Sequence, residues 1–551
     1  MALLIDIFGL LSVLLSGAEV VAQSLAVGGI AFILLVIRPF DDRLGASGPE
    51  ILRRSRRMIF WSAASLALIG LISLLVEASI LVDTAEITWG SAFAAQFSVT
   101  HAATMVFGIV LACFTAGSGE TRPVALGILA VAILVAATLT THAMARLDSR
   151  LPLALAEGLH QAGAAVWIGG IPFFVVALAR IKDGAALRLV GKRFSLMSMA
   201  SVIVIFVAGM GMSLDFIGSI EAIYGTAYGI MVSTKVILFA ALLLFGFANF
   251  RTVERLKANP HTSIQHMRRF AEVEIGIGLT VFFAAASLTS LPPASDLTVD
   301  RVSMTEIVER LTPQWPRLSS PDHDKLALPA LQAQLDAEAA ANNARQIPRA
   351  FIPGGGDLAP RNAEDIAWSE YNHHWSGILI LAIGFLALIE RSGRAPWARN
   401  WPLLFLVLAV FLFIRSDPEN WPIGDIGFFE SLRDPEVVQH RIFVLAVTLF
   451  AFFEWGVRTG RILNPKAAYV FPIVTAAGAG LLLTHSHAIA NVKDQLLIEM
   501  THVPLALFGI AAGWARWLEL RLEPKDRKLP ALIWPICFVL VGIVLLTYRE
   551  A

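Results

Sequence analysis

Only two cysteines, Cys113 and Cys537, occur in 551 residues, each inside an apolar run and with no CxxC spacing. A disulfide framework and a thiolate zinc site are therefore not supported. Charge is equally scarce. Charged residues make up 16% of the chain, against roughly 25% in soluble domains. Lys plus Arg balance Asp plus Glu at 43 each, a neutral sum that offers no nucleic acid a surface. No GxxxxGK[ST] loop is present, which argues against ATP drive within this chain. The stretch Met1 to Asp6 lacks a basic region, and the apolar run behind it continues to Ile37 with no small-residue cleavage pattern. That pattern fits a retained helix rather than a signal peptide.

What the chain does have is hydrophobic length, with 56% hydrophobic residues. A bilayer core of about 30 Å takes about 20 apolar residues as helix, because the backbone must satisfy its own hydrogen bonds in lipid. Runs of that kind predict an all-α polytopic helical membrane protein with about fourteen spans in two bundles. The expected spans are Ile7–Ile37, Met58–Glu77, Thr100–Gly117, Pro123–Ala143, Leu153–Ala179, Ser195–Leu214, Tyr228–Phe250 and Phe270–Leu291, followed by Asn372–Glu390, Trp401–Ile414, His440–Val457, Ala467–His485, Met500–Leu518 and Pro530–Thr547. Residues 1–291 form an N-terminal membrane domain and 368–551 a six-helix C-terminal one. Between them, 292–367 is a Pro-, Ala- and acid-rich linker with a Gly354–Gly356 run and an amphipathic stretch near Leu328–Asn342.

Alternate connections are basic: Arg53, Arg54, Arg56 and Arg57; Arg180, Lys182, Lys192 and Arg193; Arg251, Arg255, Lys257, Arg268 and Arg269; Arg391, Arg394 and Arg399; Arg458, Arg461 and Lys466; Arg516, Arg521, Lys525, Arg527 and Lys528. Basic loops stay cytoplasmic, so both termini and the linker face outward, with Arg146 and Arg150 as exceptions. The histidines then gather at outer helix ends: His101, His142 and His160 in the first half, and His373, His374, His440, His485, His487 and His502 in the second. The order His101, His142, His160 parallels His440, His485, His502, which suggests an internal duplication with a common membrane orientation.

Ionisable residues at membrane depth usually face a bundle interior or a cavity. Neutral imidazole suits copper, zinc, iron and nickel, and nearby thioethers (Met105, Met144, Met500) favour Cu(I). Any one of these histidines taken alone reads as a polar helix end; their clustering reads as a metal site or, as paired axial ligands, a haem b site. Glu19, Glu157 and Lys235 lie in or near spans, where a structural ion pair competes with a role along a transport path. Gly163–Ala165 and Gly169–Gly170 permit close packing around Trp167. His261, His266 and His323 read as ordinary surface residues.

The run His160–Gln161–Ala162–Gly163–Ala164–Ala165–Val166–Trp167–Ile168–Gly169–Gly170, with Tyr224–Gly225, Lys235, Asn249, Arg251 and Leu288–Thr289–Ser290–Leu291–Pro292–Pro293, resembles the copper-resistance D (CopD) family over about 153–293. The C-terminal half looks like the extension of long family members. The resemblance implies a bacterial inner-membrane protein that works with a periplasmic copper-binding protein and moves copper inward. It places His160 and Trp167 on the family motif. A copper transporter, not an enzyme, is the leading reading; a haem b electron-transfer protein and a copper-donating assembly factor are the alternatives. If outer-face imidazoles capture copper, uptake falls as pH drops below about 6. Cellular copper accumulation measures this, and accumulation unchanged after joint replacement of His160, His485 and His502 contradicts it.

Overall fold

The computed structural model describes Leu4 and residues 7–117, 122–146, 149–298, 301–326, 337, 362–432, 435–484 and 492–550. Among the described residues every regular element is helical, and the only β feature is an isolated bridge between Asn420 and Ile426. Thirteen helical stretches are long and apolar enough to cross a membrane, and Pro123–Thr138 is a further apolar helix of 16 residues. The fold is an all-α polytopic membrane protein. The amphipathic stretch near Leu328–Asn342, apart from residue 337, and the Gly354–Gly356 run lie outside the described residues.

One compact unit comprises Leu10–Ile223 and Met231–Thr298. Its long helices are α1 (Phe8–Ala31), α2 (Ser47–Thr84), α3 (Gln96–Ala116), α4 (Pro123–Thr138), α5 (Arg150–Trp167), α6 (Ile171–Arg180), α7 (Gly184–Phe216), α8 (Ala227–Ala258) and α9 (Gln265–Leu288). Several outrun the expected spans. Helix α7 begins at an Asp183 cap whose carboxylate accepts from Ala186 N at 2.8 Å, well before Ser195. Its basic first turns are the solvated end of the same helix, which a hydropathy window excludes. Helix α1 runs into a π turn at Phe32–Ile37 and a 3₁₀ turn at Arg38–Phe40, where Pro39 supplies no N–H to the ladder. Small residues set the tightest approach in this unit. A Cβ on Gly28 would stand 2.5 Å from Gly170 N, so α1 packs backbone to backbone against the α5–α6 corner.

The other unit comprises Ala2–Gly9, Tyr224–Ile230 and Val299–Ala551. It contains α10 (Met304–Leu311), α11 (Ala363–Arg391), α12 (Leu404–Arg415), α13 (Pro435–Arg458), α14 (Val470–Leu482), α15 (Val492–Arg521) and α16 (Lys528–Leu546), with a 3₁₀ turn at Pro396–Leu403. Helices α10 and α11 each start on a capping box, Ser303 with Glu306 and Asn362 with Asp365. The described linker residues pack within this unit: Arg310 donates to the Glu550 carbonyl, and Arg549 donates to the Glu309 carbonyl at 2.7 Å. Helices α11 and α16 meet at Gly377 and Gly542; a Cβ on Gly377 would lie 2.7 Å from Leu546 N, and one on Gly542 would lie 2.6 Å from Leu381 N.

The centre of this unit is aromatic and charged together. Trp401, Phe471 and Trp534 are fully buried and pack ring against ring at 5.5–5.9 Å. Above them Arg458 binds Glu390 at 2.8 Å through Nη1 and Glu454 at 2.7 Å through Nε, with its guanidinium 4.7 Å from the Trp401 ring. Arg516 binds Glu519 at 2.6 Å, Arg391 also pairs with Glu519, and the two indoles donate to Glu390 at 2.9 Å and Glu519 at 2.7 Å. The knot joins α11, the Pro396–Leu403 turn, α13, α15 and α16. Removing one member of a buried, hydrogen-bonded ion network costs about 3–5 kcal/mol, because the remaining charges lose their partner. Arg458→Ala is expected to lower the temperature at which purified protein loses monodispersity. Arg458→Lys is expected to recover little, since an ammonium cannot bridge two carboxylates and stack on an indole.

Candidate functional site

In the N-terminal unit, His101 and His160 are held by different chemistries. His101, on α3, is buried with a carboxylate beside each ring nitrogen: Glu19 of α1 at 3.6 Å from Nδ1 and Glu77 of α2 at 3.3 Å from Nε2. His160, on α5, directs Nδ1 to the Ile205 carbonyl of α7 at 3.1 Å. Since a carbonyl only accepts, Nδ1 carries the proton and Nε2 keeps the lone pair. Glu157 and Lys235 both act electrostatically on His160. Glu157 also accepts from Gln161 at 2.8 Å, and Gln161 in turn accepts from Gln23 at 3.4 Å. Trp167 is buried and meets Phe239 edge to face at 5.8 Å, so its visible role is packing between α5 and α8. His142 opens a short helix, His142–Ala145, and its side chain lies outside the described residues.

In the C-terminal unit, two predicted histidines come together. The rings of His373 on α11 and His502 on α15 stand 6.2 Å apart at 89°. Tyr548, just beyond α16, stacks on His373 at 3.8 Å and meets His502 edge-on at 6.0 Å. Each imidazole turns Nδ1 back to the carbonyl four residues earlier, Ser369 for His373 and Ile498 for His502, both at 2.8 Å. This fixes the Nδ1–H tautomer in both and leaves Nε2 as the lone-pair nitrogen, the orientation that metal-bound histidines adopt. Pro504 lies two residues past His502 and withholds an N–H from the helix ladder there. Glu550 completes the wall, accepting from Tyr548 Oη at 3.0 Å and from Ser369 Oγ.

The remaining candidates separate from this pair. His374 uses both nitrogens on backbone, donating from Nε2 to the Tyr548 carbonyl at 2.8 Å and accepting the Arg317 N–H at Nδ1 at 2.7 Å. It braces linker, α11 and the segment after α16. His440 donates to Asp417 at 2.5 Å. Met500 packs on the small cluster of Val302, Ile307 and Leu496, and two residues apart on a helix it faces away from His502. His485 and His487 lie outside the described residues. Among the described residues no group of three or more His, Cys, Asp or Glu side chains gathers as a metal cage. His323, read as an ordinary surface residue, instead donates to the Pro418 carbonyl at 2.8 Å and lies beside Trp368. Tyr548, Glu550, Glu77 and Ser369 escape sequence reasoning, because their partners sit on other helices. Scarcity was the one available signal for Tyr548, one of five tyrosines.

Fold and site together define a polytopic helical membrane protein with oriented imidazoles inside its spans. Residues 188–288 match the family model for Copper resistance protein D, CopD. A curated relative, Copper transport protein CutJ of Bacillus subtilis (strain 168), is 26% identical over 311 residues, covering 52% of this chain and 54% of the relative. The chain thus spans about half the length of the curated relative it matches. No solved structure matches. The family segment contains Tyr224, Lys235 and Asn249, whereas His160 and Trp167 precede it.

If His374 is a brace, His374→Ala leaves the Arg317 N–H and the Tyr548 carbonyl without their partner, at about 1–3 kcal/mol for each buried group left unsatisfied. Hydrogen exchange is expected to show lost protection at Arg317; retained protection at that amide contradicts the brace.

Proposed function

We propose that this chain is a copper transporter of a bacterial inner membrane, not an enzyme, in which His373 and His502 form the copper-capturing pair of the C-terminal unit. The observation that carries this is the shared tautomer: two imidazoles, on separate helices, each locked by a backbone carbonyl with Nε2 as the lone-pair nitrogen. Two imidazoles on one ion, at metal–nitrogen distances of about 2 Å, have ring centres roughly 6 Å apart, close to the 6.2 Å found here. A soft ion content with few ligands suits this pair, which favours Cu(I) over ions that require a full cage. His485 and His487, proposed as metal ligands from their spacing alone, lie outside the described residues. The match to CopD and the likeness to a copper transport protein support copper as the cargo.

Copper arrives on the outer face from a periplasmic copper-binding protein and moves inward, with the termini and the linker on the outer side; alternating loop charge supports this orientation. In the N-terminal unit His160, Glu157 and Lys235 are the polar groups along the path, and Trp167 shapes it. Protonation of Nε2 competes with the metal, so copper binding is expected to weaken as pH falls.

His373→Ala combined with His502→Ala is expected to remove bound copper from purified protein by elemental analysis, while His440→Ala leaves it in place. Undiminished copper in the double variant overturns the pair. A Soret band with reduced-minus-oxidised changes in the wild type favours a haem b electron carrier instead.

A further inference from the structure

Glu19, His101 and Glu77 meet in the N-terminal unit from three helices, and the copper pair uses none of them. His101 is 8% exposed, and its Nδ1 is buried with no hydrogen-bond partner. Glu19 Oε2 stands 3.6 Å from that nitrogen, just past hydrogen-bond reach, while Glu77 Oε1 lies 3.3 Å from Nε2. The two acids differ in access: the Glu77 side chain is 30% exposed and the Glu19 side chain 15%. Helix α4 and the short helix Trp89–Ala94, which also pack on this region, carry no titratable side chain. Glu19 and Glu77 are therefore the charged groups that face His101.

An isolated charge at this depth is costly, and chains of carboxylates and histidines inside spans are a known form of proton relay. With both acids ionised and the ring neutral, the cluster carries two negative charges, and proton uptake neutralises it stepwise. A purely structural ion pair needs one acid. Here an acid stands at each nitrogen, one more exposed and one deeper.

We propose that Glu19, His101 and Glu77 form a proton-binding relay within the N-terminal unit, loading at Glu77 and delivering through the imidazole to Glu19. In the step, Glu77 gives its proton to Nε2 while Nδ1–H passes to Glu19. One N–H bond forms and one breaks, the ring returns neutral as its other tautomer, and the negative charge moves from Glu19 to Glu77. Coupling of this relay to copper movement rests on the transporter reading; proton binding itself does not.

Difference infrared spectroscopy of the full-length protein in lipid nanodiscs, titrated with pH and without copper, tests the relay. A protonated-carboxyl band is expected to rise on acidification in the wild type. Glu19→Gln and Glu77→Gln are each expected to remove part of it, and His101→Gln to remove the Glu19 part while sparing that of Glu77. If a Gln variant fails to fold, Glu19→Asp and Glu77→Asp keep the charge and are expected to shift the band. An identical band in the wild type and in every variant that folds overturns the proposal. In liposomes, Cu(I) added outside is expected to change lumen pH with the wild type and not with Glu19→Gln. Wild-type liposomes that take up no copper, yet keep the carboxyl band, overturn the transporter reading and leave the relay standing.

Discussion

A buried guanidinium held between two carboxylates ties together the helix ends of the C-terminal unit. Arg458 spans Glu390 and Glu454 and rests on Trp401, and its side chain is only 8% exposed, so little water reaches it to replace either partner. Its network ends α11, crosses α15 through Arg516 and Glu519, and touches α16 through Trp534. Those three helices also present His373, His502 and Tyr548 at their far ends. His373 and Glu390 are about 25 Å apart along α11 at 1.5 Å per residue. The ion knot and the ring cluster thus occupy opposite ends of the same helices.

The histidines, so alike in the sequence, divide by the atom that receives the ring proton. His101 and His440, each first in its parallel trio, meet carboxylates. His160 and His502, each third in its trio, turn Nδ1 to a backbone carbonyl. A carboxylate can take the ring proton or return it. A carbonyl only accepts, so the ring keeps its proton there and its other nitrogen keeps the lone pair. One residue type thereby meets two kinds of partner, and the partner atom decides which chemistry the ring can support.

The spans were legible because a bilayer imposes a minimum apolar length that any reader of the chain can measure. Helix ends were less so: the basic first turns of α7 extend beyond the apolar window, and only its Asp183 cap marks where it begins. Arg391, Arg458 and Arg516 were read as loop charges that mark a membrane side, yet all three are tied into the buried knot. Sign and position along the chain do not reveal a partner on another helix. The same limit hid Glu77 from His101 and Tyr548 from His373. His374, adjacent to His373, shows the converse, since a histidine next to a candidate ligand spends both nitrogens on backbone.

The ring that stacks on His373 belongs to a segment anchored by His374 from 174 residues away in sequence. During synthesis, α11 enters the membrane long before Tyr548 leaves the ribosome. His373 therefore waits through the insertion of four helices, α12 to α15, for His502, and Tyr548 closes over both rings only when α16 is seated, so this ring cluster is completed last, after the scaffold that bears it.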